Sequence, residues 1–292
     1  MVAPALGDAL GPRGRRRAAL ASVVALLVFA FLAYVSFRRM ADAGQLEPEL
    51  WLTLLDPDVM RFFAGGLLNT LKAASISLLL ACVLGMTLAL GRLSPALLVR
   101  TVSRSYTEFF RGFPLILLIF FGFFTLPRVG VELSRFWSVV VALTAYNGAV
   151  LGEIFRAGIL SLDSGQTEAA EAIGLRRGQA MRLVILPQSF RRMLPTIVSQ
   201  FVTLLKDTSL AFVVGFEELL RTGQIAGEFF GNPLQSLVAV SAIYLVVNFT
   251  LSRIARRLEM RQRRRYKADT IDVAAGPEDL VGTGLAMPQA RV

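Results

Sequence analysis

Histidine is absent from this 292-residue chain, and cysteine occurs once, at Cys82. Without histidine, the Ser-His-Asp and Cys-His nucleophilic arrangements and the HExxH zinc motif are all excluded. A lone cysteine forms neither an internal disulfide nor a cysteine-based metal cluster, so the expectation is no metal site and no catalytic residue. No GxxxxGK[ST] phosphate loop occurs either, which leaves the polypeptide without a recognisable means of hydrolysing ATP. No fixed short repeat argues for a solenoid. What the chain does have is apolar mass: 54% hydrophobic residues and a mean hydropathy of +0.59, too much for one water-soluble domain. A formal charge of +10 would suit nucleic acid, but Lys and Arg sit between apolar runs instead of covering a soluble face, so no nucleic-acid partner is expected.

A bilayer core takes about 20 mostly apolar residues per helix. Six runs qualify: Ala18–Phe37, Leu67–Leu90, Gly112–Leu126, Ser138–Phe155, Pro195–Phe216 and Leu234–Ser252. The third is short and is expected to begin near Leu97, because Arg104, Glu108 and Arg111 recur at helical spacing and can pair along one face. Arg13 to Arg17 before the first run resembles a signal peptide. The run is of span length, however, and no small-x-small cleavage site precedes Arg38-Arg39, so an uncleaved first span is expected. Arg92, Arg100, Arg104, Arg176, Arg177, Arg182, Arg191, Arg192 and the basic run from Arg253 to Lys267 accumulate on one side together with Arg13 to Arg17. The opposite loops carry only Arg38, Arg39, Arg61, Arg128, Arg135 and Arg221. The positive-inside rule then places both termini in the cytoplasm. The basic run meets anionic membrane lipid, and the polar tail from about Ala268 is expected to be disordered.

The longest internal hydrophilic stretch runs from about Ser161 to Arg192. Within it Thr167 to Gly174 reads as a short helix: Thr167 as cap, Glu168 and Glu171 at the positive end of the dipole, and Gly174 in the left-handed conformation that ends it. Ala169, Ala170 and Ala172 leave a surface of small side chains, as a docking element entering another protein's groove needs; an ordinary helix-turn-helix between spans reads equally well from the residues alone. Leu175 to Leu186 reads as a second helical stretch, stopped by Pro187.

Glu168-Ala169-Ala170, then Gly174 after three residues, then Val184-Ile185-Leu186-Pro187 after nine more, resembles the EAA loop of ABC importer permeases, with Val184 where isoleucine is usual. Gly165-Gln166, Pro187-Gln188, Lys206-Asp207-Thr208-Ser209-Leu210, Arg111-Gly112-Phe113-Pro114-Leu115 and Glu153 to Ile159 resemble the polar amino-acid branch, that of the histidine, glutamine and glutamate transporters. Phe113, Leu118 and Asp163-Ser164 depart from the pattern, and the first two make that part of the pathway less polar. The resemblance implies an all-α polytopic membrane protein with the type I ABC importer permease fold. It implies partners: two ATP-binding subunits that use ATP and Mg, a second permease copy or a homologous permease, and an extracytoplasmic amino-acid-binding protein. It implies a multi-pass protein of a bacterial cell membrane that is not itself an enzyme and moves glutamate, glutamine or basic amino acids by alternating access. Glu168, Ala169, Ala170, Gly174, Leu186 and Pro187 would couple to the ATPase. The division expected is a basic tail over 1–17, an extra span and external loop over 18–64, a permease domain over 65–257 and a basic, then disordered, tail over 258–292.

An ionised side chain within a span costs several kcal/mol unless it faces protein, water or a partner, so Lys206 and Asp207, with Thr208 and Ser209, are read as lining the translocation pathway or its gate. The structural alternative pairs the lysine with a carboxylate on a neighbouring span. Lys72 is read as snorkelling from the outer end of the second span, Gly148 and Gly152 as a close helix contact, and Glu153 with Arg156 as a local pair touching the loop. Two other readings stay open: an ABC permease for another small polar solute, or an ion-coupled secondary carrier with Lys206 and Asp207 as charge relay.

Overall fold

The computed structural model describes residues 11–274, with side chains as far as Met260 apart from Pro12 and Leu258. The expectations for residues 1–10 and 275–292, and for the side chains of the basic run from Arg261 to Lys267, therefore lie outside the described residues. In chain order the helices are α1 (Pro12–Asp42), α2 (Pro48–Leu52), α3 (Pro57–Arg92), α4 (Leu97–Gly112), α5 (Leu115–Phe120), α6 (Arg135–Leu160), α7 (Ser164–Ala172), α8 (Arg177–Ala180), α9 (Leu186–Asp207), α10 (Leu219–Phe230) and α11 (Pro233–Ala274), and no strand occurs among the described residues. Five helical stretches are long and apolar enough to cross a membrane, and a bent pair makes a sixth. The helix α11 continues to Ala274, past Ala268, where the polar tail begins.

The third span is not one helix. The stretches Leu97–Gly112 and Leu115–Thr125 meet at 103°. Pro114 has no N–H to donate, and it forces the preceding residue out of helical geometry, so Phe113 is extended at φ −88° and ψ 133°. An apolar run bracketed by charges looked continuous; the Gly-Phe-Pro sequence breaks it. After α5 the chain widens into one π turn over Phe121–Thr125.

Packing centres on α3 and α6. A Cβ built on Gly85 of α3 would lie 2.9 Å from the Gly152 nitrogen and 3.0 Å from the Gly148 carbonyl oxygen of α6, so the two backbones touch where the spaced glycines were expected to pack. Ala73, Ala74, Leu143, Leu204 and Leu205 fill the core beside this contact, and Ala81, Leu151, Phe155, Met193 and Ile197 extend it toward the 161–192 connection. Polar bonds between spans are sparse by comparison. The Leu219 N–H donates to Thr70 Oγ1 at 3.1 Å, Asn69 Nδ2 to the Glu217 carbonyl at 2.9 Å and Gln200 Nε2 to Asn147 Oδ1 at 2.8 Å. Such bonds average about 0.6 kcal/mol in membranes, so close packing outweighs them.

None of the apolar window of α1 is buried. Its link to α3 is nonetheless held, since Asn232 Nδ2 donates to the Leu50 carbonyl and Gln235 Nε2 to that of Gln45. The N-terminus of α3 is fixed by Asp56, which accepts from the Asp58 N–H at 2.8 Å just before Pro57 at the first helical position. This start ten residues ahead of Leu67 puts Lys72 well inside a 36-residue helix and not at its outer end, and its side chain is exposed.

The contact at Gly85 should not tolerate a side chain. Gly85→Ala is expected to lower the thermal midpoint in detergent by about 2–10 °C, the range for overpacking a rigid backbone contact. Gly65→Ala on the same helix, with no atom within 4 Å of the added carbon, should leave it unchanged or raised; equal effects would show that the α3–α6 contact yields.

Candidate functional site

The 161–192 connection folds into two parts. The helix α7 begins three residues before Thr167: Asp163 is its cap, accepting from the Gly165 N–H at 2.8 Å. Aspartate is the stronger capping residue, and Asp163, ahead of two small residues, takes the capping role that was assigned to Thr167. The other end is as expected. Gly174 stands at φ +86°, with the Leu175 N–H donating to the Ala170 carbonyl and the Gly174 N–H to that of Glu171, a Schellman closure of the helix. Ala170 is 3% exposed and packs inward, whereas Glu168, Ala169, Glu171, Ala172 and Gly174 are exposed. The outward surface is therefore narrower in alanine than the sequence suggested, and it ends in Ile173, a side chain 78% exposed. Ile173 was missed because a lone isoleucine beside a helix terminus carries no periodic signal.

Pro187 does not stop the second helix. The chain passes from α8 through a π turn over Met181–Ile185 into α9, and the Leu186 N–H bonds five residues back to the Met181 carbonyl. A proline ring crowds the carbonyl four residues before it, here that of Leu183, and the wider turn relieves the conflict without ending the helix. Leu186 is half-buried and Pro187 exposed at the start of α9, apart from the exposed rim of α7. The two flanking glutamines meet: Gln188 Nε2 donates to Gln166 Oε1 at 3.0 Å. Arg192 also donates to the Ser161 carbonyl at 3.1 Å, so α7 is tied to the beginning of α9, and α9 to the end of α6.

Glu153 gathers more charge than its neighbour Arg156. It pairs with Arg156 at 3.2 Å as expected, and also with Arg92 from the end of α3 and, at 3.8 Å, Arg111 from the end of α4. Arg104 pairs with Glu108 at 2.7 Å on α4, while Arg111 leaves that face for Glu153. Among the described residues the hydrogen bonds and ion pairs of Glu153 run to Arg92, Arg111 and Arg156 and none to α7, so the expected contact with the loop gives way to a junction of three spans. The missing signal was distance: Arg92 and Glu153 lie 61 positions apart.

Lys206 and Asp207 close α9, and Thr208–Val214 continues as a 3-10 helix that ends at Gly215, with φ +70°. After that turn Glu218 caps α10, its carboxylate accepting from the Leu220 and Arg221 N–H groups and from the Tyr244 hydroxyl at 2.8 Å. The four residues of the Lys206 to Ser209 segment do not face one way. Thr208 is fully buried and donates to the Leu205 carbonyl, and Asp207 lies against Asn147 of α6. Lys206 and Ser209 instead line an open groove of about 550 Å³ with Tyr244, Asn248 and Ser252 of α11. Among the described residues no carboxylate comes within ion-pair distance of Lys206, so the alternative of a lysine locked to a neighbouring span is not what this fold does.

The family model described as binding-protein-dependent transport system inner membrane component matches residues 59–264, slightly wider than the stretch 65–257. The glutamate transport system permease protein GluD of Corynebacterium glutamicum is 37% identical over 243 residues, covering 82% of this chain and 89% of that protein. The probable glutamine ABC transporter permease protein GlnP of Bacillus subtilis is 41% identical over 209 residues, covering 70% of this chain and 94% of its own. Among solved structures, that of an amino acid ABC transporter with histidines superposes with a TM-score of 0.67 at 31% identity, over 72% of this chain and 98% of that one.

The junction predicts an order of effects. Glu153→Gln, which strips three arginines of their shared partner, should cost about 2 kcal/mol, and Arg156→Gln, which removes one, partly exposed contact, less than about 1 kcal/mol. Thermal midpoints of the purified variants check this; equal losses would mean that the contacts to Arg92 and Arg111 contribute nothing.

Proposed function

The chain belongs to the binding-protein-dependent transport system inner membrane component family, and from that premise we propose that it is the membrane-spanning half of an amino-acid importer driven by a separate ATPase. It is a multi-pass membrane permease and not an enzyme. The cargo assigned is a polar amino acid, by the resemblance to permeases named for glutamate and glutamine transport. Two ATP-binding subunits, which bind ATP and Mg, sit at the 161–192 face. A second copy or a homologous permease completes the pathway, and an extracytoplasmic binding protein delivers cargo. Both termini lie in the cytoplasm, where the arginine-rich connections collect. The span of 65–257 carries the transport function, with α1 as an addition to it.

The observation that carries this reading is the rim of α7. A rigidly closed helix of nine residues presents Ala169, Ala172 and Gly174 without bulk and Ile173 as an exposed apolar knob. An aqueous surface gains nothing from a 78% exposed isoleucine at a helix end, whereas a groove in a partner gains its burial, about 1.5–3 kcal/mol. Glu168, Ala169, Ala170 and Gly174 shape that element, Leu186 and Pro187 begin the helix behind it, and Lys206, Asp207, Thr208 and Ser209 lie where that helix changes geometry within the membrane.

Purification of the tagged chain in mild detergent with its co-purifying subunits tests the reading. The wild type should bring down an ATPase. Ile173→Glu should insert normally and lose it, and Gly174→Asp, which opposes the left-handed closure, should retain insertion while amino-acid uptake is lost or uncoupled from ATP hydrolysis. Full ATPase recovery with both variants, together with normal uptake, would remove α7 from the coupling role.

A further inference from the structure

At 3.6 residues per turn, the side chains of α4 fall into three sectors. Ser103, Tyr106, Thr107 and Phe110 form the packed one. Ser103 and Thr107 are buried, Ser103 against Gly91 of α3 where no Cβ would fit, and the Tyr106 hydroxyl donates to the Ala145 carbonyl of α6 at 3.4 Å. Leu98, Val102 and Phe109 form an exposed apolar sector, and Arg100, Arg104, Glu108 and Arg111 an exposed charged one. The apolar and charged sectors stand about 150° apart, and the packed sector about 100° from each. Upright in a bilayer, this helix would carry four ionised side chains through about 16 Å of lipid, at a cost that membrane segments avoid. The 103° bend at Phe113-Pro114 removes the conflict. With α5 continuing as the span, α4 turns across it, and its three sectors then meet the bundle, the acyl chains and the water.

Charge on the outer sector is unbalanced. Glu153 is shared by Arg92, Arg111 and Arg156, and Glu108 is taken by Arg104. Among the described residues no carboxylate lies within ion-pair distance of Arg100, whose guanidinium touches the Ser94 carbonyl at 3.5 Å. We propose that α4 lies in the plane of the membrane's cytoplasmic surface and binds the phosphate of an anionic lipid headgroup, with Arg100 as principal cation and Arg104, one turn on, as the second. The side of the membrane follows from the orientation proposed above; nothing else in the inference depends on transport. Two guanidinium groups one turn apart suit a phosphodiester, which each can grip through paired N–H donors. The exposed apolar sector identifies the occupant as lipid. A soluble anion would use the arginines alone, whereas a phospholipid meets both sectors at once, its phosphate at Arg100 and its chains beside Leu98, Val102 and Phe109. Seated in this way, α4 fixes the level of α3 through Gly91 and of α6 through the Arg111–Glu153 pair.

Fluorescence quenching by brominated lipids tests both parts, on the permease with its co-purifying subunits in nanodiscs. A fluorophore is placed on Leu98→Cys, Val102→Cys or Phe109→Cys, each in a Cys82→Ala background. Lipids brominated at different acyl depths should place all three labels at one shallow level; an upright α4 would separate Leu98 from Phe109 by about 16 Å and overturn the in-plane reading. Should one labelled variant fail to assemble, the remaining pair decides. At Leu98, brominated phosphatidylglycerol should quench in preference to brominated phosphatidylcholine. Arg100→Gln should lower that preference about fivefold, the effect of one basic residue at an anionic surface. Arg100→Lys should keep most of it, and Arg128→Gln, at the other end of the bent span, should leave it unchanged. Equal quenching by the two lipids, or a preference untouched by Arg100→Gln, would overturn the headgroup site. So would displacement by inorganic phosphate, which marks a soluble anion, or a preference seen only after the co-purifying subunits are stripped, which gives the sector to a protein partner. The depth comparison needs neither an ATPase nor transport, and ATPase recovery with the wild type reports on the importer reading separately.

Discussion

The contact of α3 with α6 through Gly85, Gly148 and Gly152 is the constraint on which the rest of this structure depends. In a bilayer there is no gain from merely hiding apolar surface from lipid, so helices stay together through contact area, and only glycine permits backbones this close. With these two spans fixed, Ser77 of α3 reaches the Val140 carbonyl of α6, and the cores on either side are filled from α5 and α9. The ionic junction at Glu153 is secondary to that contact. It gathers the ends of α3 and α4 onto α6, but it does so with side chains that remain partly solvated, so its energy is modest and its role is to set position.

Irregular backbone marks the places of interest. The break at Phe113-Pro114, the π turn before Leu186 and the 3-10 segment from Thr208 to Gly215 all interrupt membrane helices. Unpaired backbone groups are too costly against lipid to survive there without compensation, and at two of the breaks the compensating bonds are definite. At the π turn the Leu186 N–H takes the Met181 carbonyl; at the 3-10 segment Thr208 and Ser209 hydroxyls return to the Leu205 and Lys206 carbonyls. The α10 start that follows is capped by a buried glutamate because its N–H groups have no water to turn to.

Span count, helical class and the Gly174 closure were all legible in the residues, because each rests on local chemistry: apolar length, or a glycine after a short helix. The break at Pro114 was legible too, had the proline outweighed the apolar run around it. The Asp163 cap was legible as well, since aspartate caps better than threonine, but the helix was read as beginning at Thr167, beside the Glu-Ala-Ala run. What no local pattern revealed was long-range. Arg92 and Arg111 converge on Glu153 from two other spans, and the polar stripe of α11 acquires meaning only when Lys206 lies across from it. Spacing of Ser241, Tyr244, Asn248 and Ser252 was visible, but each is a common residue in a span, and one face becomes notable only when it lacks a neighbour.

The connection between docking surface and groove is short and continuous. From α7 the Gln166–Gln188 bond leads to α9, and α9 is in turn held to the end of α6 by the Arg192–Ser161 bond and by the Met193 side chain, which lies against Gly158 with no room between them. Beyond that clamp α9 runs without a break from Leu186 to Asp207, with Pro195 buried inside it. A displacement of α7 by a partner therefore cannot be absorbed in a loose loop; it must move α6 and α9 together or shear one along the other. Shear is resisted above the clamp by the Gln200–Asn147 bond and by Leu204 and Leu205 in the core. Two places remain where α9 can yield: Pro195, which has no N–H for the Arg191 carbonyl, and the change to 3-10 geometry at Thr208, one residue after Asp207 and beside Lys206. Under the importer reading, a push on the rim bends α9 at these two points, the second of them at the segment that lines the groove.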